Sequence, residues 1–173
     1  MDFTSITDSV TLNNGEKMPW LGFGVFQMKD GGEVKQSVLS ALEVGYRSID
    51  TAAIYGNEVG VGEAIRESGV PREEIFLTTK VWNGEMRKRR VQEAFEESLE
   101  KLGTDYVDLY LVHWPVAGVY KDTWLDLEKI QQIIQVETLL ELMRSRVGSP
   151  ISYSSLARDL QCSDKTVKRW LNI

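Results

Sequence analysis

The feature that most constrains this chain is a polar loop placed at the end of a short apolar strand. Residues 46–49 are aromatic or β-branched at their ends, which favours a buried strand, and Asp50 closes it. The loop that follows presents Tyr55, and a helical pattern begins at Glu58. In folds of parallel strands, functional side chains gather at the carboxyl ends of the strands. The stretch therefore predicts a strand, a loop and a helix, with the chemistry at the strand end.

Two later apolar runs end in the same way. Residues 75–80 end at Lys80, and residues 107–113 end at His113. Successive parallel strands place their carboxyl ends on one side of a sheet. We therefore expect Asp50, Tyr55, Lys80 and His113 to converge from three strand ends.

Four motifs give this chain a family resemblance. They read Gly-Tyr-Arg-Ser-Ile-Asp-Thr-Ala at 45–52, Tyr-Gly-Asn-Glu at 55–58, Thr-Lys-Val-Trp at 79–82 and Asp-Leu-Tyr-Leu-Val-His-Trp-Pro at 108–115. With them, residues 9–128 resemble the N-terminal half of an aldo-keto reductase. The resemblance implies a (β/α)8 barrel, which needs about 250 residues, whereas this chain has 173. The expected fold class is thus α/β, a half (β/α)8 barrel of four parallel strands with an N-terminal β-hairpin, followed by an all-α segment.

The resemblance also implies a role for each of the four polar residues in carbonyl reduction. A free tyrosine has a pKa of about 10, so a proton-donating tyrosine needs a nearby cation. Tyr55 is the expected general acid, Lys80 the cation, Asp50 the partner that holds Lys80, and His113 the group that orients the carbonyl. A lone histidine is more often an interior group than a catalyst, but here three matched partners accompany it. The expected walls of an apolar substrate pocket are Phe26, Trp82 and Trp114.

The cofactor implied by the resemblance is NADPH. The family takes most of its cofactor contacts from strands five to eight, for which no matching positions are found here. We therefore expect weak NADPH binding, weak or absent turnover, and no assignable cofactor-binding residue. One histidine and one cysteine also cannot form a metal site. The alternative is a recombined or engineered chimera that has a folding or assembly role and no activity.

The spacing of apolar and turn residues predicts the remaining elements of residues 1–128. A hairpin is expected at 10–18, turning at Asn14 and Gly15, and a first barrel strand at 21–26. Helices are predicted over 33–44, 58–67 and 87–102, with a loop at 82–84. The basic run 87–90 is interpreted as a solvated helix start because acidic residues follow it.

The sequence changes character near residues 128–131, which divides the chain into predicted domains 1–128 and 129–173. A fourth helix, capped by Asp122 or Thr123, is predicted from Trp124 and continues at helical spacing to 147. Residues 151–160 and 164–171 then have helix-turn-helix spacing. This tail, residues 130–173, resembles a small helical segment of a bacterial ATP-binding protein family, without that family's Gly-rich phosphate loop. DNA binding by its basic residues is the second alternative, although a packing role is favoured.

Partners and compartment follow from edges, cysteine and charge. Four parallel strands leave two open edges, so a homodimer through those edges or the tail helices is expected. Cys162 is the only cysteine, so no internal disulfide can form, and a reducing, cytoplasmic location is expected. No apolar run reaches the ~20 residues of a membrane span, no signal pattern follows Met1, and a net charge of −6 gives no general attraction to nucleic acid.

Overall fold

The computed structural model describes the backbone of residues 4–145 and the side chains of residues 4–132. The chain divides into two units, Met1–Thr123 and Trp124–Ile173. The first unit contains the sheet and the residues of the predicted site.

A two-stranded hairpin opens the chain. Strands β1 (Ser9–Thr11) and β2 (Lys17–Pro19) are antiparallel, with Val10 opposite Met18. The Leu12 amide donates to the Glu16 carbonyl at 2.8 Å, and Gly15 has a φ of 93°, which only glycine adopts without strain. The hairpin predicted at 10–18 is confirmed.

Four parallel strands follow, in spatial order β3-β4-β5-β6. Ile49 lies opposite Leu77, and Thr79 lies opposite Tyr110. Helices connect the strands, so all four carboxyl ends lie on one side of the sheet. The α/β fold with four parallel strands is confirmed, with elements β3 (Phe23–Gly24), α1 (Gly32–Glu43), β4 (Ser48–Asp50), α2 (Glu58–Glu67), β5 (Phe76–Val81), α3 (Asn83–Arg87), α4 (Val91–Leu102) and β6 (Leu109–Val112).

The hydrophobic core lies between this sheet and its helices. Each helix buries one stripe at a spacing of three or four residues, as the sequence pattern predicts. The stripes meet the buried side chains of the strands, and the cluster is Val25, Val34, Val38, Leu42, Ile49, Val61, Ala64, Ile65, Ile75, Leu77 and Leu102.

Helix α2 approaches its neighbours unusually closely because it carries two glycines on its inner face. A Cβ at Gly62 would lie 2.1 Å from the carbonyl oxygen of Leu102 at the end of α4, and a Cβ at Gly60 would lie 2.5 Å from a methyl of Val34 in α1. Backbone cannot move aside as a flexible side chain can. Any side chain at Gly62 would therefore force α2 and α4 apart.

The loop predicted at residues 82–84 is wrong, because the short helix α3 begins at Asn83. The Trp82 carbonyl accepts hydrogen bonds from the amides of Glu85 and Met86, at 3.1 and 3.3 Å. The Met86 side chain is fully buried. Burial of this one apolar residue favours a helical turn that the local Asn-Gly pair did not suggest.

The predicted start of the next helix at residue 87 is also wrong, because α4 begins at Val91. Arg89 has a φ of 59°, which breaks the helical path between α3 and α4. Lys88 pairs with Glu85 at 2.9 Å, and Arg90 pairs with Glu97 at 2.9 Å. Residues 88–90 therefore connect α3, which ends at Arg87, to α4, and Lys88 and Arg90 among them pair with nearby carboxylates.

Helix α5 (Tyr120–Ser145) begins earlier than predicted. Thr123 is not an N-cap, since it lies in the first turn and its hydroxyl donates to the Val119 carbonyl at 3.0 Å. Gly118, with a φ of 80°, turns the chain just before the helix. The predicted end at residue 147 and the helix-turn-helix pattern of 151–171 lie outside the described residues.

None of the helices that the structure describes is long and apolar enough to cross a membrane.

Candidate active site

Lys80, near the end of β5, is the centre of a polar cluster at the carboxyl side of the sheet. Its Nζ donates to Asp50 Oδ1 at 2.6 Å and to the Thr51 carbonyl at 2.8 Å. The Lys80 side chain is 12% exposed. A cation this shielded from water needs partners that replace its hydration, and Asp50 and Thr51 provide them.

Tyr55 lies in a 3₁₀ turn, Ala53–Tyr55, that follows β4. Its hydroxyl is 3.5 Å from Lys80 Nζ, and the same Nζ lies 5.1 Å from the centre of the Tyr55 ring. This contact is at the long limit of a hydrogen bond. The ammonium is nevertheless near enough to stabilise negative charge that develops on the tyrosine oxygen.

His113 follows β6 and faces the same cluster. Its amide donates to the Val81 carbonyl at 3.3 Å, and its ring meets the Tyr55 ring edge-on with centroids 5.7 Å apart. The Nδ1 atom is buried and has no hydrogen-bond partner among the described residues. Burial lowers the pKa of His113 and the Lys80 charge lowers it further, while Asp50 acts in the opposite direction. The lowered pKa favours the neutral form of the imidazole.

Three aromatic side chains border these polar groups. The Phe26 ring lies 5.0 Å from the Tyr55 ring, and the Trp82 ring lies 5.3 Å from that of His113. Trp114 stacks on His113, with an interplanar angle of 19°. Phe26 and Trp114 are exposed, at 64% and 58%. All seven residues singled out from the sequence thus lie together, with apolar surface open to an incoming molecule.

Two residues of this cluster were missed by the sequence analysis. Thr51 offers its carbonyl to Lys80 and donates its hydroxyl to Asn57 Oδ1 at 2.8 Å. Asn57 in turn donates from Nδ2 to the carbonyls of Val25 and Met28, at 2.9 and 3.0 Å. Both side chains belong to the quoted motifs, but their buried hydrogen bonds depend on long-range contacts that no local pattern reveals.

No group of three or more His, Cys, Asp or Glu side chains among the described residues could hold a metal ion. The cluster brings together a tyrosine hydroxyl, an ammonium and an imidazole. These groups suit proton donation to a polarised oxygen.

A model of the "Aldo/keto reductase family" matches residues 20–135. The chain belongs to the aldo/keto reductase family. The resemblance proposed from the motifs is confirmed for this part of the chain, and the matched segment runs past the change of character expected near residues 128–131.

Curated aldo/keto reductase relatives include two enzymes that act on small dicarbonyls. Glyoxal reductase of Bacillus subtilis is 58% identical over 127 residues, which are 73% of this chain and 46% of that protein. Methylglyoxal reductase DkgA of Escherichia coli is 49% identical over 125 residues, which are 71% of this chain and 44% of that protein. The chain therefore spans about half the length of the curated relatives that it matches.

Solved aldo/keto reductase structures agree with the sheet described above. An aldo/keto reductase from Brucella melitensis is 49% identical and superimposes with a TM-score of 0.69, covering 73% of this chain and 50% of that one. The Bombyx mori aldo-keto reductase AKR2E4, solved in complex with NADP, is 38% identical with a TM-score of 0.68, covering 75% and 48%. The four strands thus match part of the family's barrel.

Proposed function

We propose that this chain carries the proton-donating site of an NADPH-dependent reductase of small carbonyl compounds, of the glyoxal and methylglyoxal class named for its relatives. The observation that carries the proposal is the Lys80 ammonium, held by Asp50 at 2.6 Å and placed 3.5 Å from the Tyr55 hydroxyl. His113 and the three aromatic rings complete the surroundings of that hydroxyl.

In the proposed reaction the substrate oxygen lies between the Tyr55 hydroxyl and the His113 ring. NADPH, when bound, supplies the hydride to the carbonyl carbon. As the C=O π electrons move to oxygen, Tyr55 gives that oxygen a proton, and an alcohol results. The Lys80 charge stabilises the tyrosinate that remains. His113, which is neutral, donates a hydrogen bond to the oxygen and fixes its direction, and Asp50 keeps Lys80 in place.

The described residues fit the carbonyl end of this reaction better than the whole dinucleotide. The family resemblance assigns most cofactor contacts to strands five to eight, whereas the sheet of the described residues has four parallel strands. We therefore assign no residue to the cofactor phosphates. Weak binding of NADPH and weak or absent turnover by these 173 residues alone remain part of the proposal.

The test is direct. Purified protein is titrated with NADPH by fluorescence and then assayed for NADPH oxidation with glyoxal and methylglyoxal, beside the Tyr55→Phe variant. Any turnover that depends on Tyr55 supports the proposed site. Turnover that persists unchanged in Tyr55→Phe would place the chemistry elsewhere.

We also propose that the chain forms a homodimer. The outer strands of the sheet that the structure describes are β3 and β6, and every residue of β6 is only half-buried. Unpaired strand edges favour pairing with another strand. Light scattering across protein concentrations checks this, and one mass corresponding to a monomer throughout would contradict it.

A further inference from the structure

Asn57 occupies the N-cap position of helix α2 but does not cap it. Asparagine is preferred at this position because its side chain accepts a hydrogen bond from the second or third amide of the helix. In this structure the Asn57 side chain makes no such bond. It is completely buried and turns instead towards the loops of the site.

The hydrogen bonds of Asn57 join two segments that carry site residues. Nδ2 donates to the carbonyls of Val25 and Met28, which flank Phe26 on the chain. Oδ1 accepts from the Thr51 hydroxyl, and the carbonyl of the same Thr51 accepts from Lys80 Nζ. One amide group therefore connects the Phe26 segment with the residue that holds Lys80.

A different residue, Asp30, caps the start of α2. Asp30 Oδ1 accepts a hydrogen bond from the Gly60 amide, in the first turn of α2, at 2.8 Å. Asp30 belongs to the segment that follows Met28. Residues 25–30 are thus attached to the start of α2 at two points, by Asn57 near one end and by Asp30 at the other.

The segment between these two attachments has an unusual backbone. Gln27 has a φ of 66°, one of two residues other than glycine among the described residues with a positive φ. A side chain in this region costs free energy that the surroundings must offset. Asn57 donates hydrogen bonds to the carbonyls on either side of Phe26 and Gln27, and the Phe26 ring lies 5.0 Å from the Tyr55 ring.

We infer that Asn57 is a positioning residue, which fixes Phe26 and the Thr51 carbonyl relative to Tyr55 and thereby sets the size of aldehyde that the pocket accepts. The inference rests on the proposed function for its substrate, but its structural part is independent of turnover. A residue that only filled space at the start of α2 would need neither two donors aimed at carbonyls of residues 25–28 nor an acceptor for Thr51.

The first experiment measures backbone amide exchange by NMR in Asn57→Ala, with Ile65→Ala as the matched control. Ile65 is a buried residue of the same helix on the core side, so its truncation weakens packing without touching the loops. The amides of Val25, Met28 and Tyr55 are hydrogen-bonded and report on the attached segments. We expect their exchange to rise on the order of tenfold in Asn57→Ala beyond any global change, as expected from the loss of one or two net hydrogen bonds.

The Thr51→Val variant provides a second test if Asn57→Ala does not fold. It removes only the hydroxyl donated to Asn57 Oδ1 and keeps the side-chain shape and the Thr51 carbonyl. The same three amides are expected to exchange about threefold faster, a fraction of the effect of the larger truncation. The resonance of His113, the only histidine, should move in both variants and stay in place in Ile65→Ala.

The second experiment compares kcat and KM for methylglyoxal and for a bulky aromatic aldehyde. With Asn57→Ala we expect KM to rise about tenfold for the aromatic substrate and to change little for methylglyoxal, because only the larger molecule needs an ordered Phe26. If the wild-type protein turns over neither aldehyde, as the weak or absent turnover proposed above allows, amide exchange alone decides the role of Asn57. Exchange at Val25, Met28 and Tyr55 that rises no more in Asn57→Ala and Thr51→Val than in Ile65→Ala would overturn the inference.

Discussion

The two ends of the sheet each carry an ion pair between an aspartate and a basic residue. The two pairs differ in how many hydrogen bonds the basic residue makes. At the carboxyl end Lys80 pairs with Asp50, and at the amino end Arg72 pairs with Asp108 at 2.9 Å. Asp108 also accepts the Leu77 amide at 2.8 Å, so it ties two neighbouring strands together. The chemistry of the two pairs is similar, but their surroundings are not.

The Arg72 guanidinium uses four of its five N–H donors in hydrogen bonds. Nε donates to Thr104 Oγ1, Nη1 to the Ile75 carbonyl, and Nη2 to the Tyr106 carbonyl and to Asp108. Its central carbon also lies 4.0 Å from the centre of the Tyr106 ring. Such a set of contacts is typical of a residue that stabilises the fold.

Lys80 makes fewer hydrogen bonds than Arg72, two of them short. Its third contact, to the Tyr55 hydroxyl, is 3.5 Å long, and the buried Nδ1 of His113 nearby has no hydrogen-bond partner among the described residues. Asp50 is 39% exposed, so this end of the sheet is open to solvent. The same fold therefore uses one ion pair to stabilise its amino end and leaves a similar pair accessible to solvent at its carboxyl end.

The largest expected effect tests the open end. Tyr55→Phe should lower turnover about 10²–10⁴-fold, the usual contribution of a positioned general acid. Its free energy of unfolding should change by less than about 0.5 kcal/mol, because the lost contact is long. Steady-state kinetics and urea unfolding measure the two quantities. The matched control is Tyr106→Phe at the closed end, and a similar loss of turnover there would remove the distinction between the ends.

The next effect tests the closed end. Arg72→Ala should lower the free energy of unfolding by about 2–3 kcal/mol, since it leaves Asp108 and two carbonyls without their donor. Lys80→Met should cost about 1 kcal/mol or less, because the more exposed Asp50 can take up water. Urea unfolding of both variants measures the two losses of unfolding free energy. Equal losses would show that both ion pairs serve mainly to stabilise the fold.

A smaller effect separates charge from shape at Arg72. Arg72→Lys keeps the positive charge but cannot reproduce the planar set of donors, so a loss of about 1–2 kcal/mol is expected. Thermal unfolding monitored by circular dichroism gives the value. A variant as stable as the wild type would mean that charge alone holds the amino end.

The smallest effect concerns the pKa of His113, which an NMR titration can follow without interference because the chain has one histidine. Lys80→Met should raise this pKa and Asp50→Asn should lower it, and both values should stay below the ordinary one because burial is the main cause. In the wild type the folded protein binds the proton less readily than the unfolded chain. The contribution of His113 to the free energy of unfolding is therefore present above the ordinary pKa of about 6.5. It is lost as pH falls through the pKa of His113 in the folded protein. Shifts of the His113 pKa in the same direction in both variants would contradict the opposite effects expected of the Lys80 and Asp50 charges.

The sequence predicted the site better than the connections around it. Asp50, Tyr55, Lys80 and His113 follow apolar runs, and parallel strands bring such residues together whatever the details of the loops. The start of α4 was wrong because Arg89 adopts a left-handed conformation that is not encoded in a helical spacing. The N-cap predicted at Asp122 or Thr123 was wrong because both residues lie in the first turn of α5, where the Thr123 hydroxyl donates to the Val119 carbonyl.

Asn57 was missed for a related reason. A local pattern gives it the capping role of an asparagine before a helix, whereas its actual partners, Val25 and Met28, lie about thirty residues earlier in the chain. Contacts of that range depend on how α2 is packed against the sheet. They become visible only when the three-dimensional arrangement is known.

Gly62 links the packing of α2 against α4 to the position of the Tyr55 turn. Because Leu102 O would meet a Cβ there at 2.1 Å, α2 can neither rotate nor slide against α4 to accept a larger residue. The same helix begins at Glu58, directly after the Tyr55 turn, Gly56 and Asn57, so a shift of α2 would also move the Tyr55 turn. A methyl group added at this buried helix contact would thus disturb the Tyr55 hydroxyl, and a screen for inactivating changes should include residues far from that hydroxyl.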